Sequence, residues 1–246
     1  MNLVLLEPGE VGPDGVVELA ADDPRARHIR TVLGAEAGQT IRTGIVDGPI
    51  GTAEILETAP RLLLRFAPGE VPPRPRIDLV LAMPRPKVMN RLWPVLSSLG
   101  VGRIWLVNAW KTERVYFDTH VLRPENIRAG LLEGLAQARD TLLPEVRVVR
   151  AFKPLLEDEL PLADYAVRLV AHPDPNSAPD ARRALETAPV DGRILVAVGP
   201  EGGWTDYELS RFEGAGFLRF SLGPRILRTD TALVAIHARM SAFLGG

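Results

Sequence analysis

After residue 76 the sequence alternates short apolar runs with longer stretches of helical periodicity, and this alternation constrains the fold more than any other feature. The apolar runs are nearly continuous, which is typical of strands buried on both faces of a parallel sheet. We therefore predict an α/β fold with a mostly parallel sheet covered by helices. The predicted strands are 77–83, 103–108, 146–149, 166–171, 194–198 and 217–222, and the predicted helices are 87–99, 124–142, one from 205 and one from 229 or 230.

A proline-rich segment at 67–76 separates this pattern from the preceding one. It contains four prolines and one glycine in ten residues, which neither a helix nor a central strand accommodates. Before it, short β-like runs at 16–19, 40–43, 51–56 and 62–66 surround one predicted helix at 24–33, with Asp22 or Asp23 as its N-cap. We predict a small β-barrel domain over 1–70 and the α/β domain over 74–246.

Composition narrows the function classes. The chain has no cysteine and four histidines far apart in sequence, so we expect no disulfide, no cysteine nucleophile and no metal site. Its start lacks a signal-peptide pattern, and no apolar run approaches the ~20 residues of a membrane span, so we expect a soluble cytoplasmic protein. Residues 73–140 carry 11 Lys and Arg against 6 Asp and Glu, whereas 1–72 carry 6 against 11. A polyanion would therefore bind local patches, unless the basic segment is only a solvated helix face.

Two loops near the C-terminus point to a small-molecule pocket. Gly199-Pro200-Glu201-Gly202-Gly203 and the segment from Ser221 to Ala232 each follow a predicted strand and lead into a predicted helix. Glycines let a ligand approach the backbone, and amides at a helix start favour hydrogen-bond acceptors. The first loop lacks the Lys-Ser/Thr of a phosphate-binding loop and comes too late in its domain for a dinucleotide fold. A plain strand-to-helix turn is the alternative. Thr205 and Glu208 predict a capping box at the next helix.

Two groups of basic residues are candidates for polar ligands. Arg225 and Arg228 bracket Ile226 and Leu227, so the apolar pair can line a slot while the arginines face a polar substrate. The alternative is an ion pair with Asp230 or Glu201. In the first domain, phosphate contact is predicted for a basic cluster inside an acidic region, with a solvated helix face as the alternative. The residues of this cluster are Arg25, Arg27, His28 and Arg30.

These motifs resemble those of a known family. GPEGG, followed by LGPRILRTDTA before a last helix, is similar to the RsmE-type 16S rRNA (uracil-N3)-methyltransferases of the SPOUT superfamily. Weaker matches are Arg27 to Leu33 and Asp47-Gly48 in the first domain, Ala136 to Arg139 in the middle, and Ala171-His172-Pro173. The resemblance covers essentially the whole chain.

The resemblance implies a PUA-like, RNA-binding first domain and a trefoil-knotted second domain that forms a homodimer. It implies S-adenosylmethionine as cofactor, no metal, and small-subunit rRNA or the assembled small subunit as partner. Arg228, Arg225 and Glu201 are the implied catalytic residues. The implied cofactor-binding residues are Ala171, His172, Pro173, Gly199, Pro200, Glu201, Gly202, Gly203, Ser221, Leu222, Gly223, Ile226, Leu227, Arg228, Thr231 and Ala232.

The sequence also departs from the family pattern, mainly where RNA contact is expected. Ser98 and Ala136 stand where the family usually has Glu, Gly34 where a basic residue is common, and Asp230 where Glu is usual. The alternatives are therefore a methyltransferase of another RNA, or a non-catalytic RNA-binding or ribosome-assembly factor. The exact nucleotide, the proton acceptor, the form of the RNA substrate and the separate roles of the two arginines stay open at this stage.

Overall fold

The computed structural model describes residues 2–160, 164–173, 179–189 and 191–244. The chain divides into two compact units. The first consists of residues 1–74 and 131–143, and the second of 75–130 and 144–246. The domains predicted from the sequence were continuous, whereas 131–143 clusters with the N-terminal residues.

The first unit is built on a five-stranded sheet in the order β1-β3-β4-β5-β2. Its strands are β1 (Val4–Leu6), β2 (Val16–Leu19), β3 (Thr40–Ile45), β4 (Ile50–Glu57) and β5 (Leu62–Pro68). β1, which the sequence pattern did not predict, pairs parallel to β3, and the other pairs are antiparallel. Helix α1 (Pro24–Thr31) begins at the predicted N-cap Asp23, whose side chain accepts the amide of Arg25. Its apolar residues Ala26 and Ile29 are fully buried in the core of this unit.

The segment 131–143 joins the first unit through its backbone and an apolar cluster. Ala136 O accepts the amides of Asn2 and Leu3, and Thr141 O accepts the amide of Asp47. Leu3 and Leu135 pack in one buried cluster. These contacts connect residues more than ninety positions apart, which local periodicity does not reveal.

The second unit contains a six-stranded sheet, and every neighbouring pair of strands is parallel. The order is β11-β9-β10-β6-β7-β8. The strands are β6 (Ile77–Ala82), β7 (Val101–Val107), β8 (Glu145–Val149), β9 (Val167–Ala171), β10 (Ile194–Val198) and β11 (Leu218–Phe220). All residues of the central strands β6 and β10 are buried, as expected for strands covered on both faces. The predicted α/β fold with a mostly parallel sheet is confirmed.

The helices agree with the prediction except at three places. They are α2 (Pro86–Ser98), α3 (Pro124–Ala138), the short α4 (Phe152–Pro154), α5 (Pro179–Glu186), α6 (Asp206–Gly214) and α7 (Thr229–Phe243). The prediction of a helix to residue 142 is wrong, because Arg139 adopts a positive φ of 60° that ends α3. Neither α4 nor α5 was predicted from the sequence. No helix in the described part of the chain is long and apolar enough to cross a membrane.

Candidate functional site

A pocket in the second unit opens at the carboxyl ends of three neighbouring strands, β9, β10 and β11. Loops at this end of a parallel sheet form ligand sites in many open α/β proteins. Each strand here contributes the loop that follows it, and α7 closes the pocket. The lining residues are Ala171, His172, Pro173, Val198, Gly199, Pro200, Glu201, Gly203, Trp204, Phe220, Leu222, Gly223, Arg225, Ile226, Leu227, Thr229, Ala232 and Ile236.

The loop after β10 is a tight turn that depends on its glycines. The Gly203 amide donates to Pro200 O at 2.8 Å, and Gly203 has a φ of +69°, which side chains with a Cβ disfavour. Gly199 lies against the indole of the buried Trp204, where a Cβ would come within 3.2 Å of Nε1. The turn therefore presents main chain, with little side-chain cover, to the pocket.

The predicted capping box at the start of α6 is confirmed, and it fixes the end of this loop. The Thr205 hydroxyl accepts the Glu208 amide, and the Glu208 carboxylate accepts the Thr205 amide at 2.8 Å. Glu208 is only 2% exposed. A buried carboxylate that bonds backbone amides holds the helix start in a defined position.

The loop after β11 is shaped by Ser221 and Gly223. The Gly223 amide donates to Ser221 Oγ at 3.1 Å, and the Ser221 hydroxyl donates to Gly223 O at 3.2 Å. Gly223 has a φ of +114°. Beyond this turn, Ile226 is 84% exposed although it lines the pocket. An apolar side chain so exposed beside a pocket is available to cover a bound ligand.

The segment after β9 completes the wall. The His172 amide donates to Phe220 O at 2.9 Å, which joins this segment to the end of β11. His172 Nδ1 is buried without a hydrogen-bond partner among the described residues, and so is Nε1 of Trp204. Both residues line the pocket, so their polar atoms are candidates for ligand hydrogen bonds.

The three predicted catalytic residues occupy different positions. Arg225 and Glu201 line the pocket, whereas Arg228 does not. The Glu201 carboxylate accepts the amide of Arg85, at the start of α2, at 3.3 Å. The Arg228 guanidinium is 76% exposed and lies 3.6 Å from the Asp230 carboxylate, the ion pair considered as its alternative role.

Most residues predicted to bind a cofactor are brought together in this pocket, but the match is incomplete. Gly202, Ser221, Arg228 and Thr231 belong to the predicted segments but do not line it. Five lining residues were not among the predicted cofactor-binding residues, although one of them, Thr229, lies within the predicted segment 221–232. They are Val198, Trp204, Phe220, Thr229 and Ile236. The first three directly adjoin predicted segments, and Ile236 follows Ala232 by one turn of α7, so extending each motif along its element would have found them.

The basic cluster predicted to contact RNA lies on α1, in the first unit, and its members differ. Arg25 bonds Glu10, Asp23 and Leu5 O, and its side chain is 21% exposed. Arg30 donates to Thr58 O and Ala21 O. Because these guanidinium groups bond partners within the unit, we propose structural roles for the two arginines in place of the predicted RNA contact.

The other two members of the cluster keep the proposed role. Arg27 is exposed, and its guanidinium makes no hydrogen bond or ion pair within the described residues. His28 Nε2 is buried and has no partner there either.

The pocket as a whole combines apolar walls, exposed main chain and a few polar groups. Val198, Phe220, Leu222 and Ile236 supply apolar surface beside the glycine turns. Such a lining suits a flat heterocycle with hydrogen-bonding edges, and Arg225 adds positive charge at one side. Among the described residues no group of three His, Asp or Glu side chains is placed to hold a metal ion.

Comparisons with known proteins identify a family for the chain and a shared fold. A family model described as the RNA methyltransferase domain matches residues 72–241. Ribosomal RNA small subunit methyltransferase E of Treponema pallidum is 34% identical over 243 residues, which are 97% of this chain and 90% of the relative. Ribosomal RNA small subunit methyltransferase E 1 of Borreliella burgdorferi is 23% identical over 237 residues, which are 96% of this chain and 95% of the relative.

Two solved structures share the fold. Ribosomal RNA small subunit methyltransferase E of Neisseria gonorrhoeae, solved with S-adenosyl methionine, has a TM-score of 0.75 at 24% identity. A Legionella pneumophila protein solved with bound SAM gives the same score and identity. Each superposition covers 98% of this chain and 97% of the other. At this identity the superpositions establish a common fold.

Proposed function

Because the chain belongs to the ribosomal RNA small subunit methyltransferase E family, we propose that it methylates N3 of a uridine in small-subunit rRNA. S-adenosylmethionine is the proposed methyl donor. The observation that carries the proposal is the convergence of three sequence-separated segments on one pocket. The relatives named as small subunit methyltransferase E, and the SAM-bound structure of the same fold, support the proposal.

The pocket fits this cofactor chemically. Apolar side chains such as Leu222 and Leu227 suit the adenine ring, and the unpartnered Nδ1 of His172 and Nε1 of Trp204 can bond polar edges. The turns at Gly203 and Gly223 leave main-chain groups uncovered for the ribose and the amino-acid part. When bound, the cofactor supplies an activated methyl group on a sulfonium.

The protein must stabilise negative charge on the substrate. Uridine N3 carries a proton, and N3 becomes nucleophilic as this proton leaves and charge develops on the uracil oxygens. A fixed cation beside those oxygens lowers the free energy of the transition state. Arg225 lines the pocket and is the proposed contact for a uracil oxygen. Arg228, exposed and 3.6 Å from Asp230, is proposed to contact a flanking phosphate.

The proton acceptor is proposed among the titratable lining residues. Glu201 and His172 both line the pocket, and each has a basic atom. We favour Glu201, because it is exposed at the pocket loop and accepts only a long amide hydrogen bond, 3.3 Å, from Arg85. In this assignment His172 binds the cofactor.

We also propose the finer features that the family resemblance implies. The first unit is a PUA-like barrel that contacts RNA through Arg27 and His28. The second unit contains a trefoil knot, and the return of the chain from the edge strand β11 to α7, which packs against the central β6, supports it. A homodimer in the cytoplasm is proposed, and the exposed Val234 on α7 is consistent with an interface there. Light scattering of the purified protein tests the dimer.

Calorimetric titration with S-adenosylmethionine tests the pocket directly, using two matched glycine variants. Gly223 and Gly216 both have positive φ, +114° and +82°, and neither has an atom within 4 Å of an added Cβ. Alanine therefore strains the backbone at both positions, by about 1 kcal/mol or more. Gly223 lines the pocket and Gly216 does not. We expect Gly223→Ala to weaken cofactor binding and Gly216→Ala to preserve it. Equal affinities in both variants would place the cofactor elsewhere.

A further inference from the structure

Trp110 is an unusually exposed tryptophan in the second unit. Its exposed fraction is 83%, whereas Trp93, Trp105 and Trp204, the other tryptophans of the chain, are exposed by 1%, 1% and 3%. A large aromatic side chain left in solvent loses the free energy that burial would give. Exposed aromatics of this kind mark interaction sites more often than scattered aliphatic residues do.

The main chain of Trp110 is firmly held. Its amide donates to Oε1 of Glu208 at 2.8 Å, and the same buried carboxylate caps α6 through Thr205. The following turn is closed by the Thr112 amide on Ala109 O at 3.0 Å, and Ala109 is buried. The backbone that carries the indole is therefore held in place, so little main-chain conformational entropy is lost when the indole binds a partner.

The Trp110 loop adjoins the loop of the candidate pocket. Lys111 Nζ donates to Gly202 O at 2.8 Å, and a Cβ at Gly202 would lie 2.9 Å from Lys111 Cδ. Glu201 and Gly203, on either side of Gly202, line the pocket. The exposed aromatic face and a lysine ammonium therefore lie at the border of the proposed methyl-transfer site.

The beginning of α2 adds positive charge to the same border. Arg85 bonds Glu201 through its amide, and its own side chain is exposed. Arg91 is 60% exposed and lies 3.9 Å from Asp230, the carboxylate that also faces Arg228. Residues 79–112 contain five Lys and Arg and no Asp or Glu. The middle of the chain is therefore locally basic where it meets the pocket loops.

We propose that Trp110, Lys111, Arg85 and Arg91 form a docking rim for single-stranded RNA. Trp110 stacks on an unpaired base next to the target uridine, and the three cations contact the phosphates around it. The rim rests on the proposed function and deepens it. It would hold the strand so that one base enters the pocket and its neighbour is clamped outside. Charge complementarity to phosphate and the exposed aromatic face favour RNA over a protein occupant.

Fluorescence gives a readout of the rim that is independent of methyl transfer. Because the other tryptophans are buried, quenching by added RNA reports mainly on Trp110. The protein without cofactor is titrated with a 12-nucleotide uridine-containing single-stranded RNA. We expect strong quenching in the wild type and its loss in Trp110→Phe. Equal quenching in both proteins would overturn the proposed stacking.

Affinity measurements by fluorescence anisotropy of labelled RNA separate the parts of the rim. We expect Trp110→Ala to bind about tenfold more weakly, and Trp110→Phe to recover most of this loss because it retains a stacking face. Arg91→Ala should lower the slope of log affinity against log salt by about 0.7, as expected for one phosphate contact on a single strand. Val148→Ala and Arg182→Ala, which change exposed residues outside the rim, are the controls and should bind like the wild type.

Two further measurements distinguish the rim from its alternatives. Light scattering of Trp110→Ala should match the wild type, and a shift to monomers would mean that the rim is an interface between copies of the chain. Wild-type RNA affinity in Trp110→Ala would overturn the rim even if the wild type methylates rRNA. Failure of the proposed function itself appears differently, as no methyl transfer by a wild type that binds RNA normally.

Discussion

Arg25 offers a demanding test of how the basic cluster on α1 divides its roles. Its guanidinium makes five hydrogen bonds, to Glu10, Asp23 and Leu5 O, at 2.6–3.0 Å. Replacing it with alanine leaves two carboxylates close together without their cation. Arg27, two residues along the same helix, is exposed and is the matched control.

The size of the effect follows from how far these groups are buried. Exposed ion pairs contribute about 0–1 kcal/mol, and breaking a fully buried pair costs about 3–5 kcal/mol. Side-chain exposures of 21% for Arg25, 29% for Glu10 and 17% for Asp23 lie between these limits. We therefore expect Arg25→Ala to destabilise the first unit by about 2 kcal/mol and Arg27→Ala to have little effect.

The pH dependence of stability tests the same role, because the direction of the change can be predicted. Hydrogen bonds from Arg25 hold the pKa of Glu10 and of Asp23 below their usual ranges. Groups with a lowered pKa in the folded state stabilise it above their unfolded pKa, about 4, and this contribution is lost as pH falls through the folded values. The wild type should therefore lose stability on acidification more steeply than Arg25→Ala.

The assay must observe the first unit separately. Residues 1–74 and 131–143 contain no Trp or Tyr, so tryptophan fluorescence reports only on the second unit. Hydrogen exchange of the α1 peptide, followed by mass spectrometry, measures the local opening free energy. RNA affinity measured in parallel should fall in Arg27→Ala. The structural role would be refuted if the α1 peptide of Arg25→Ala exchanged hydrogen as slowly as that of the wild type. It would also be refuted if Arg25→Ala kept its stability but lost RNA affinity in a salt-dependent way.

Three other predictions concern the second unit. Arg225→Ala should lower kcat about 100-fold by removing charge stabilisation at the pocket, whereas Arg228→Ala should mainly raise KM for RNA; equal kcat losses would contradict this division. Gly199→Ala places a Cβ 3.2 Å from the Trp204 ring, so calorimetry should show weaker cofactor binding and thermal unfolding a loss of about 1–3 kcal/mol. Burial lowers the pKa of His237 in the folded protein. The wild type should therefore keep its full free energy of unfolding above pH 6.5 and lose part of it below that pH. His237→Gln should lose less on acidification, and denaturant titrations at several pH values measure both proteins.

The sequence predicted the parallel sheet well because its strands are buried on both faces. Near-continuous apolar runs such as Ile194–Val198 have few alternatives once helices alternate with them. The same holds for the start of α6, where Thr205 and Glu208 satisfy each other within four residues. Local chemistry specifies these elements, so local patterns reveal them.

Features set by distant partners could not be predicted in this way. Arg25 and Arg30 have the same sequence signature as Arg27, and only their partners, up to 28 positions away, distinguish structural arginines from an exposed one. Helix α3 ends where Arg139 adopts a positive φ. Glycine is the residue that usually signals such a helix end in a sequence, and this position holds an arginine. Segment 131–143 joins the first unit through long-range contacts.

In the site, the motifs located the pocket, but the structure was needed to separate Arg225 from Arg228. Both arginines belong to one motif, and their spacing alone does not indicate which of them contacts the substrate. In the structure Arg225 lines the pocket, whereas Arg228 lies outside the lining.

The identity of the methylated nucleoside tests the proposed function most directly. Purified protein is incubated with labelled S-adenosylmethionine and either intact small subunits or naked small-subunit rRNA lacking the modification, and the RNA is digested to nucleosides. We expect labelled 3-methyluridine from at least one of these substrates, and its loss in Arg225→Ala. Label in any other nucleoside, or none in a wild type that binds the cofactor, would contradict the proposed function.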